Sequence, residues 1–332
     1  MPAKYLCVGS LALNDTVYAD GRTSMAAPGG NALYAAVGAN IWSGEVGICA
    51  VVGYDWPAGF TDQLAASAID TRYLVEKDAE TLRAWTVYEI SGYRRYFSRN
   101  TEVVLLTPSP FSSTPLTAEE GAAYSEAARQ VHLRNSPLPQ ELPTGWLDGL
   151  EAIHICPMRL ESILAWIDFL EAHPHIFVSV DILPFPLSGN LDHPDLLKIL
   201  RRANAFMPSE AEAESLQPGH QAEAFCRQIA ARGPKLVVIK QGDHGAALFD
   251  REQDIFRQAH PYPANVDDLT GAGDSFCGGF LVGYATTRDP WRAALTGTVS
   301  ASHIIEGFGG LHALSITRES AAARLHELES SQ

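Results

Sequence analysis

The sequence predicts an α/β protein, a three-layer sandwich in which helices cover both faces of a mostly parallel central sheet. Short apolar runs alternate with segments of helical periodicity along most of the chain. Strands separated by helices favour a parallel sheet with right-handed crossovers and ligands at the carboxyl ends of the strands. With 332 residues, 46% of them apolar, the chain has enough material for a large buried core. Residues 1–332 are therefore predicted to form a single domain.

The predicted elements alternate in chain order. The strands are predicted at residues 5–11, 46–52, 152–156, 176–181, 205–207, 236–240 and 246–249. The helices are predicted at residues 32–42, 160–173, 194–203, 222–232 and 274–287. The span 160–173 is the clearest of these helices, because its apolar residues recur at helical spacing on one face.

One region departs from this alternation. Residues 83–98 contain two β-rich runs on either side of Ser91-Gly92, which is a hairpin pattern. This aromatic and basic segment is either an ordinary edge hairpin or part of a small β lid, with lid elements mainly within 12–28 and 70–105. Residues 107–149 are rich in Pro, Ser and Thr, with one helix predicted near 118–132, and are interpreted as a surface insertion.

Charge and cysteine content narrow the class of protein. The formal net charge is -15 with five lysines, which argues against binding to nucleic acid or to anionic lipid. The apolar run 5–13 is too short to span a bilayer and lacks a basic start, so no membrane association is expected. Five cysteines without metal-ligand spacing indicate reduced, buried thiols and a cytoplasmic location.

The stretch Asp268-Leu-Thr-Gly-Ala-Gly-Asp-Ser-Phe-Cys-Gly-Gly-Phe280 is the most informative part of the chain. Gly271 and Gly273 permit a tight turn that brings backbone N–H groups close to a ligand. The helix that follows adds unpaired donors, which favour a bound anion. Asp274 either caps this helix or takes a proton from a hydroxyl group that attacks a phosphate held there.

Other phosphate-binding patterns are absent from the sequence. No lysine follows a glycine, so there is no P-loop. No Gly-x-Gly-x-x-Gly follows the first predicted strand, and the protein-kinase motifs are missing.

Four motifs, taken in order, resemble the ribokinase-like (PfkB) family of small-molecule kinases. The stretch 268–280 is similar to the C-terminal signature of that family. Pro-Gly-Gly-Asn-Ala at 28–32, Gly-Tyr-Asp at 53–55 with Gly59, and Val-Ile-Lys-Gln-Gly-Asp-His-Gly-Ala at 238–246 are similar to three further segments. The resemblance covers nearly the whole chain. It implies transfer of a phosphoryl group from ATP, with Mg²⁺, to an alcohol held beneath a β lid.

The resemblance also implies a role for each matched residue. Asp274 would be the general base, and the amides of Gly271, Ala272 and Gly273 would form an anion hole. The implied nucleotide-binding residues are Lys240, Gly242, Asp243, Gly245, Ser209 and Glu212, with Glu212 organising Mg²⁺ through water. The implied acceptor-binding residues are Asn14, Asp15, Gly29, Gly30, Asn31 and Asp274. Asp268 and Thr270 match a segment that holds a monovalent cation in some relatives, which makes K⁺ a candidate cofactor.

The chain departs from the family pattern at three positions. Ser209 replaces the usual Asn of an Asn-x-x-Glu motif, which leaves the detail of metal placement open. Strict spacing puts Asn14 where the family sets an Asp, and Asp15 is the alternative that the sequence slightly favours. Tyr34 replaces a second Asn, which suggests a more apolar acceptor site.

We therefore expect an ATP-dependent kinase that phosphorylates a small sugar or a sugar-like molecule. A nucleoside is the alternative acceptor, since Tyr34, Trp85 and Tyr96 could stack on a base. A ligand-binding relative without catalysis and an enzyme cleaving a phosphorylated metabolite are the rivals from other classes. The resemblance also implies that the lid could pair with a second lid in a homodimer.

Overall fold

Strands and helices alternate along the chain in a computed structural model, which describes residues 3–90, 94–106, 117–183 and 187–332. The strands are β1 (Tyr5–Val8), β2 (Ala12–Val17), β3 (Thr23–Gly29), β4 (Val46–Val52), β5 (Ile69–Asp70), β6 (Leu74–Glu76), β7 (Leu82–Tyr88), β8 (Arg94–Ser98), β9 (Ala152–Ile155), β10 (Phe177–Val180), β11 (Ala205–Phe206), β12 (Leu236–Lys240), β13 (Ala246–Asp250) and β14 (Ile255–Ala259). The helices are α1 (Asn31–Asn40), α2 (Ala58–Ala66), α3 (Thr101–Val104), α4 (Ala118–Arg134), α5 (Leu160–Glu171), α6 (Pro194–Arg202), α7 (Glu210–Leu216), α8 (Ala222–Ala230), α9 (Ala272–Thr287), α10 (Pro290–Ile304) and α11 (Arg318–Ser331).

The main sheet has ten strands and is mostly parallel, as predicted. Its order is β14-β13-β12-β11-β10-β9-β1-β4-β5, with β6 also paired to β4. Only β13 and β14 at one edge run antiparallel to their neighbours. The chain moves from β1 to β4 on one side and later to β9 on the other, so the strand order reverses beside β1. Ligands bind at such a reversal, outside the carboxyl ends of the strands.

Alternate residues of the central strands enter two separate apolar cores. On β1, Leu6 and Val8 join the core on one face, whereas Tyr5 and Cys7 join the core on the other. Buried residues of α5, α6 and α8 complete the first core, and those of α1, α9 and α10 complete the second. The predicted three-layer arrangement is confirmed.

A second sheet of four strands forms the predicted lid. Its order is β3-β2-β7-β8, and we call these four strands the lid sheet. The predicted hairpin is the antiparallel pair β7 and β8, and its turn at Ser91-Gly92 lies outside the described residues. Strand β2 belongs to this sheet, so the predicted strand 5–11 was too long: the chain bends at Gly9 and Ser10 and passes from one sheet to the other.

Helix α4, within the predicted surface insertion, packs against the lid sheet. Val131 of this helix joins a small buried cluster with Val103 of α3 and with Ala12 and Leu82 of the lid sheet. The Tyr124 hydroxyl accepts a hydrogen bond of 3.2 Å from the Ser98 N–H at the end of β8. The described part of the insertion therefore packs against one side of the lid sheet and supports it.

Two negative findings concern the described part of the chain. No helix there is long and apolar enough to cross a lipid bilayer. In the same ranges, no group of three or more His, Cys, Asp and Glu side chains is arranged to hold a metal ion. Both statements leave aside residues 1–2, 91–93, 107–116 and 184–186.

Candidate active site

The loop before α9 has the geometry of an anion-binding turn. We call residues 268–271 the base loop. Gly271 is the N-cap of α9 with φ 80°, in the left-handed region, and a Cβ atom there would overlap the Tyr34 ring. The Gly273 N–H, in the first turn of the helix, has no acceptor among the described residues. A small anion can therefore approach these amides.

Asp274 lies in the first turn of α9 and is half-buried. The N-cap residue of the helix is Gly271 and Asp274 lies three residues later, so Asp274 is not the N-cap residue. Asp274 therefore belongs to the same first turn of the helix as the Gly273 N–H. A carboxylate in this place can accept a proton without leaving the anion site.

A cavity of about 630 Å³ opens next to the same amides, and we call it the donor cavity. Six of the predicted site residues line it: Lys240, Gly242, Asp243, Gly245, Ala272 and Gly273. The remaining wall is largely apolar, formed by residues that include Pro261, Val266, Leu269, Phe276, Ala301 and Ile305. A mostly apolar cleft with a few polar groups at one end fits a flat base with an attached phosphate chain.

Lys240 stands between the donor cavity and a buried carboxylate. Its Nζ pairs with the Asp181 carboxylate and lies 3.6 Å from the Cys277 Sγ. Burial disfavours its charged form, but the charge of Asp181, together with Cys277, Glu212 and the hydrogen bond to Asp181, raises the pKa of Lys240 well above its ordinary value. The ammonium group is therefore a fixed positive charge at the polar end of the cavity.

Ser209 and Glu212 form a capping box at the start of α7. The Ser209 N–H donates to the Glu212 Oε2 at 2.6 Å, and the Ser209 Oγ accepts from the Glu212 N–H at 3.3 Å. Ser209 also bridges to Lys240 in the neighbouring strand. The Ser-x-x-Glu spacing is a signature of this cap that the sequence interpretation did not use. The cap places the Glu212 carboxylate near the polar end of the donor cavity.

On the acceptor side, Asn14 and Asp15 are consecutive residues of β2, so their side chains leave opposite faces of the lid sheet. Asp15 is only 2% exposed, pairs with Arg99 and accepts from the Ala26 N–H at 2.8 Å. Asn14 is half-buried, and its amide lies against Gly29 at the start of the glycine pair. Asp15 is therefore enclosed, whereas Asn14 is the more exposed of the two side chains.

The glycine pair Gly29-Gly30 is anchored by its neighbour Asn31. The Asn31 Oδ1 accepts from the Ser10 N–H at 2.8 Å, and its Nδ2 donates to the Pro157 carbonyl at 2.6 Å. This side chain therefore ties the ends of β1 and β9 to the start of α1. Its amide is mostly used in holding the loop, which leaves less of it for acceptor hydroxyls than the sequence suggested.

Two tyrosines that the sequence analysis did not identify connect the lid to the base loop. The Tyr18 hydroxyl donates to the Asp268 Oδ2 at 3.0 Å. The Tyr88 hydroxyl and the Thr270 Oγ1 are 2.6 Å apart. Asp268 and Thr270 are the residues predicted to hold a monovalent cation, and that site stays a prediction. No local pattern marks these tyrosines, because their partners are far away in sequence.

Comparisons with known proteins identify the family and the fold. Residues 3–316 match the family model described as pfkB family carbohydrate kinase. A curated relative, the cytidine kinase of Thermococcus kodakarensis, is 25% identical over 303 residues, which cover 91% of this chain and 96% of that protein.

Solved structures share the fold at low sequence identity. An E. coli protein provisionally named ribokinase II, solved in complex with ATP and Mg²⁺, has a TM-score of 0.70 and 19% identity over 98% of this chain and 99% of that one. The Burkholderia thailandensis nucleoside kinase in complex with inosine has a TM-score of 0.71 and 17% identity over 98% and 99% of the two chains.

Proposed function

We propose that this chain, which belongs to the pfkB family of carbohydrate kinases and is thus a phosphotransferase with an alcohol acceptor, uses ATP to phosphorylate a small sugar or a sugar-like molecule. One observation carries the proposal. The half-buried Asp274 lies beside amides of the α9 N-terminus, and two residues of that turn, Ala272 and Gly273, also line the donor cavity. Base, anion site and nucleotide cleft therefore meet at one point.

The proposed reaction uses this meeting point directly. Asp274 accepts the proton of the acceptor hydroxyl as its oxygen attacks the γ-phosphorus of ATP, and the bond to the β-γ bridging oxygen breaks to release ADP. The amides of Gly271, Ala272 and Gly273 donate toward the charge on the transferred group. This stabilisation is largest in the transition state, where the charge spreads over the equatorial oxygens.

The donor side is assigned to the residues around Lys240. Its fixed ammonium would meet the phosphate chain, while Gly242, Asp243 and Gly245 border the cleft in which the nucleotide would lie. The Glu212 carboxylate, kept in place by its bond to the Ser209 N–H, would organise the water shell of Mg²⁺. When bound, that ion neutralises charge between the β- and γ-phosphates.

The acceptor side is assigned to Asn14, Gly29 and Gly30, with Asn31 holding the loop in place. We favour Asn14 over Asp15, because Asp15 is enclosed by Arg99 and the Ala26 N–H. The amide of Asn14 can both donate to and accept from a diol. A nucleoside is the second candidate acceptor, and it is favoured by the cytidine kinase that this chain matches over 91% of its length.

The base assignment predicts the effect of Asp274→Asn. This change keeps the shape of the side chain and removes its proton affinity, so kcat should fall by about 10²–10⁴-fold or more with the ATP affinity largely kept. Steady-state transfer and ATP binding by calorimetry measure the two quantities. The exposed neighbour Asp267 supplies the control variant Asp267→Asn, which should retain the wild-type rate. A fully active Asp274→Asn enzyme would refute the assignment.

A panel of pentoses, hexoses, polyols and nucleosides distinguishes the two acceptor classes. ADP release coupled to formation of a phosphorylated product should be saturable, with the highest kcat/KM for a sugar or polyol. Turnover with nucleosides alone would instead select the second candidate. ATP binding without transfer to any member of the panel would favour a relative that binds ligands and has no catalysis.

A further inference from the structure

The lid and the base loop are joined by the two tyrosine hydroxyls described above. Tyr18 follows β2 and Tyr88 ends β7, and these strands are neighbours in the lid sheet. Their partners, Asp268 and Thr270, lie two residues apart in the base loop. The two bonds therefore connect the ends of the two central lid strands to one short turn. We call this pair of bonds the latch.

Aromatic packing surrounds the latch. The Tyr18 and Tyr88 rings are stacked, with centroids 5.8 Å apart and planes 6° apart. The Phe308 ring meets Tyr18 edge-on at 4.9 Å, and the Arg22 guanidinium lies 4.6 Å above the Phe308 ring. Because Phe308 follows α10 and Arg22 belongs to the lid segment, the cluster spans the gap between lid and body. A phenylalanine at either tyrosine position would keep these ring contacts.

The partner of Tyr18 controls the shape of the base loop. Asp268 is 7% exposed, and its Oδ1 accepts from the Thr270 N–H at 2.9 Å. Its own N–H donates to the Ile305 carbonyl at the end of α10. Asp268 thus folds the turn that leads into Gly271, and the lid holds the outer oxygen of the same carboxylate. Burial, and then the Asp268 charge, raise the pKa of Tyr18, which keeps its hydroxyl a donor.

We propose that Tyr18 and Tyr88 are positioning residues, which hold the base loop in its anion-binding shape only while the lid is closed. The proposal rests on the function assigned above. Without the latch, the lid is closed for a smaller fraction of the time and the base loop is held less firmly, so transfer slows and water can reach the site in place of the alcohol. Water then attacks the γ-phosphorus, Asp274 accepts its proton, and ATP yields ADP and phosphate. The latch therefore favours transfer to the acceptor over hydrolysis.

The test uses Tyr18→Phe, Tyr88→Phe and the double variant in the full chain. ADP release from ATP and Mg²⁺ is measured without acceptor and with the best acceptor of the panel. Each variant should lose about 3- to 10-fold in kcat for transfer, the size expected for one hydrogen bond. The ratio of ADP released to acceptor phosphorylated should rise above one, and the KM for ATP should stay near the wild-type value.

Tyr124→Phe is the matched control, because its hydroxyl also bonds to the lid but on the side of α4. It should leave the ratio of ADP to phosphorylated acceptor at the wild-type value. A merely destabilised lid would change Tyr124→Phe and the latch variants alike, and that outcome would overturn the proposal. An unchanged ratio in the double variant would overturn it as well.

Amide hydrogen exchange of the ligand-free protein provides a readout that does not need activity. The base loop should exchange faster in the latch variants than in wild type and in Tyr124→Phe. If wild type transfers no phosphoryl group to any acceptor, the proposed function fails and the exchange result alone decides whether the latch exists. Equal exchange in all five proteins would show that the hydroxyls do not hold the loop.

Discussion

At the scale of single residues, the pairing of Lys240 with Asp181 serves two purposes that experiment can separate. The ammonium group faces the donor cavity, and it also neutralises a carboxylate that is only 3% exposed. A buried charge that loses its partner is costly, often about 3–5 kcal/mol. The side chain should therefore matter for stability as well as for ATP binding.

Replacing Lys240 by methionine should lower both the stability of the protein and its affinity for ATP. We expect Lys240→Met to lose roughly 3–5 kcal/mol of unfolding free energy, measured by urea denaturation, and to raise the KM for ATP. The double variant with Asp181→Asn removes the orphaned charge together with its partner. It should regain most of the stability but not the ATP affinity. Recovery of both properties would show that Lys240 acts only as a structural counter-ion.

Local geometry can be predicted from sequence where the interacting groups are neighbours in the chain. The loop from Asp268 to Asp274 is such a case, because turn, amides and carboxylate lie within seven residues. The sequence could not decide whether Asn14 or Asp15 binds the acceptor. The answer depends on the ion pair between Asp15 and Arg99 and on the face of the lid sheet from which each side chain leaves. Tyr18 was missed because its partner lies 250 residues away.

At the scale of elements, the contact between α1 and α9 fixes the acceptor loop relative to the base. A Cβ atom at Gly38 of α1 would overlap the backbone of Ser275, and one at Gly278 of α9 would overlap the Ala35 carbonyl. The two backbones are thus in direct contact. Helix α1 begins just after the glycine pair, and α9 begins at the base loop. Their spacing therefore sets the distance between acceptor and base.

Gly38→Ala tests this helix contact. The added methyl group must separate the helices, so we expect a loss of about 1–3 kcal/mol in unfolding free energy and a lower kcat. Gly121→Ala on α4 is the matched control, because nothing lies within 4 Å of its Cβ position. That variant should gain up to about 1 kcal/mol from helix propensity. Equal stability changes in urea denaturation would contradict the close contact.

Element prediction was best where a continuous apolar run marks a buried strand, and worst where an element has no clear apolar pattern. The spans of β4 and β12 agree with their predicted residues 46–52 and 236–240. Helix α10 was missed, because its small residues are buried on nearly every side and give no amphipathic period. Strand β3 was also missed, since most of its residues are exposed or half-buried and it contains Pro28.

At the scale of the whole molecule, the central sheet carries a histidine between its two cores. His154 on β9 is fully buried, and its Nδ1 lies 2.9 Å from the Ser179 Oγ on the neighbouring strand. Its Nε2 has no partner among the described residues. Burial, and next the positive charge of Lys240, lower the pKa of His154 to about 3.

This histidine makes the stability of the molecule depend on pH. Below about pH 6.5 the unfolded chain binds a proton that folded His154 does not, so stability falls as pH drops from 6.5 toward 3. Between pH 7.5 and pH 5 the loss from this group should be about 2 kcal/mol. In urea denaturation, the unfolding free energy of His154→Gln should fall by about 2 kcal/mol less than that of wild type over this pH range. The variant His326→Gln, at an exposed position, should show the same pH dependence as wild type. Identical pH dependence in all three proteins would exclude His154 as the cause.

All five cysteines are buried, and none forms a disulfide. Burial raises the pKa of the Cys7 and Cys277 thiols, so these groups stay protonated and react slowly with alkylating reagents. A thiol placed at the lid position of Ile90, which is 92% exposed, would then be the preferred point for attaching a fluorophore. The natural protein is therefore a suitable background for single-label spectroscopy, without prior removal of its own sulfhydryl groups.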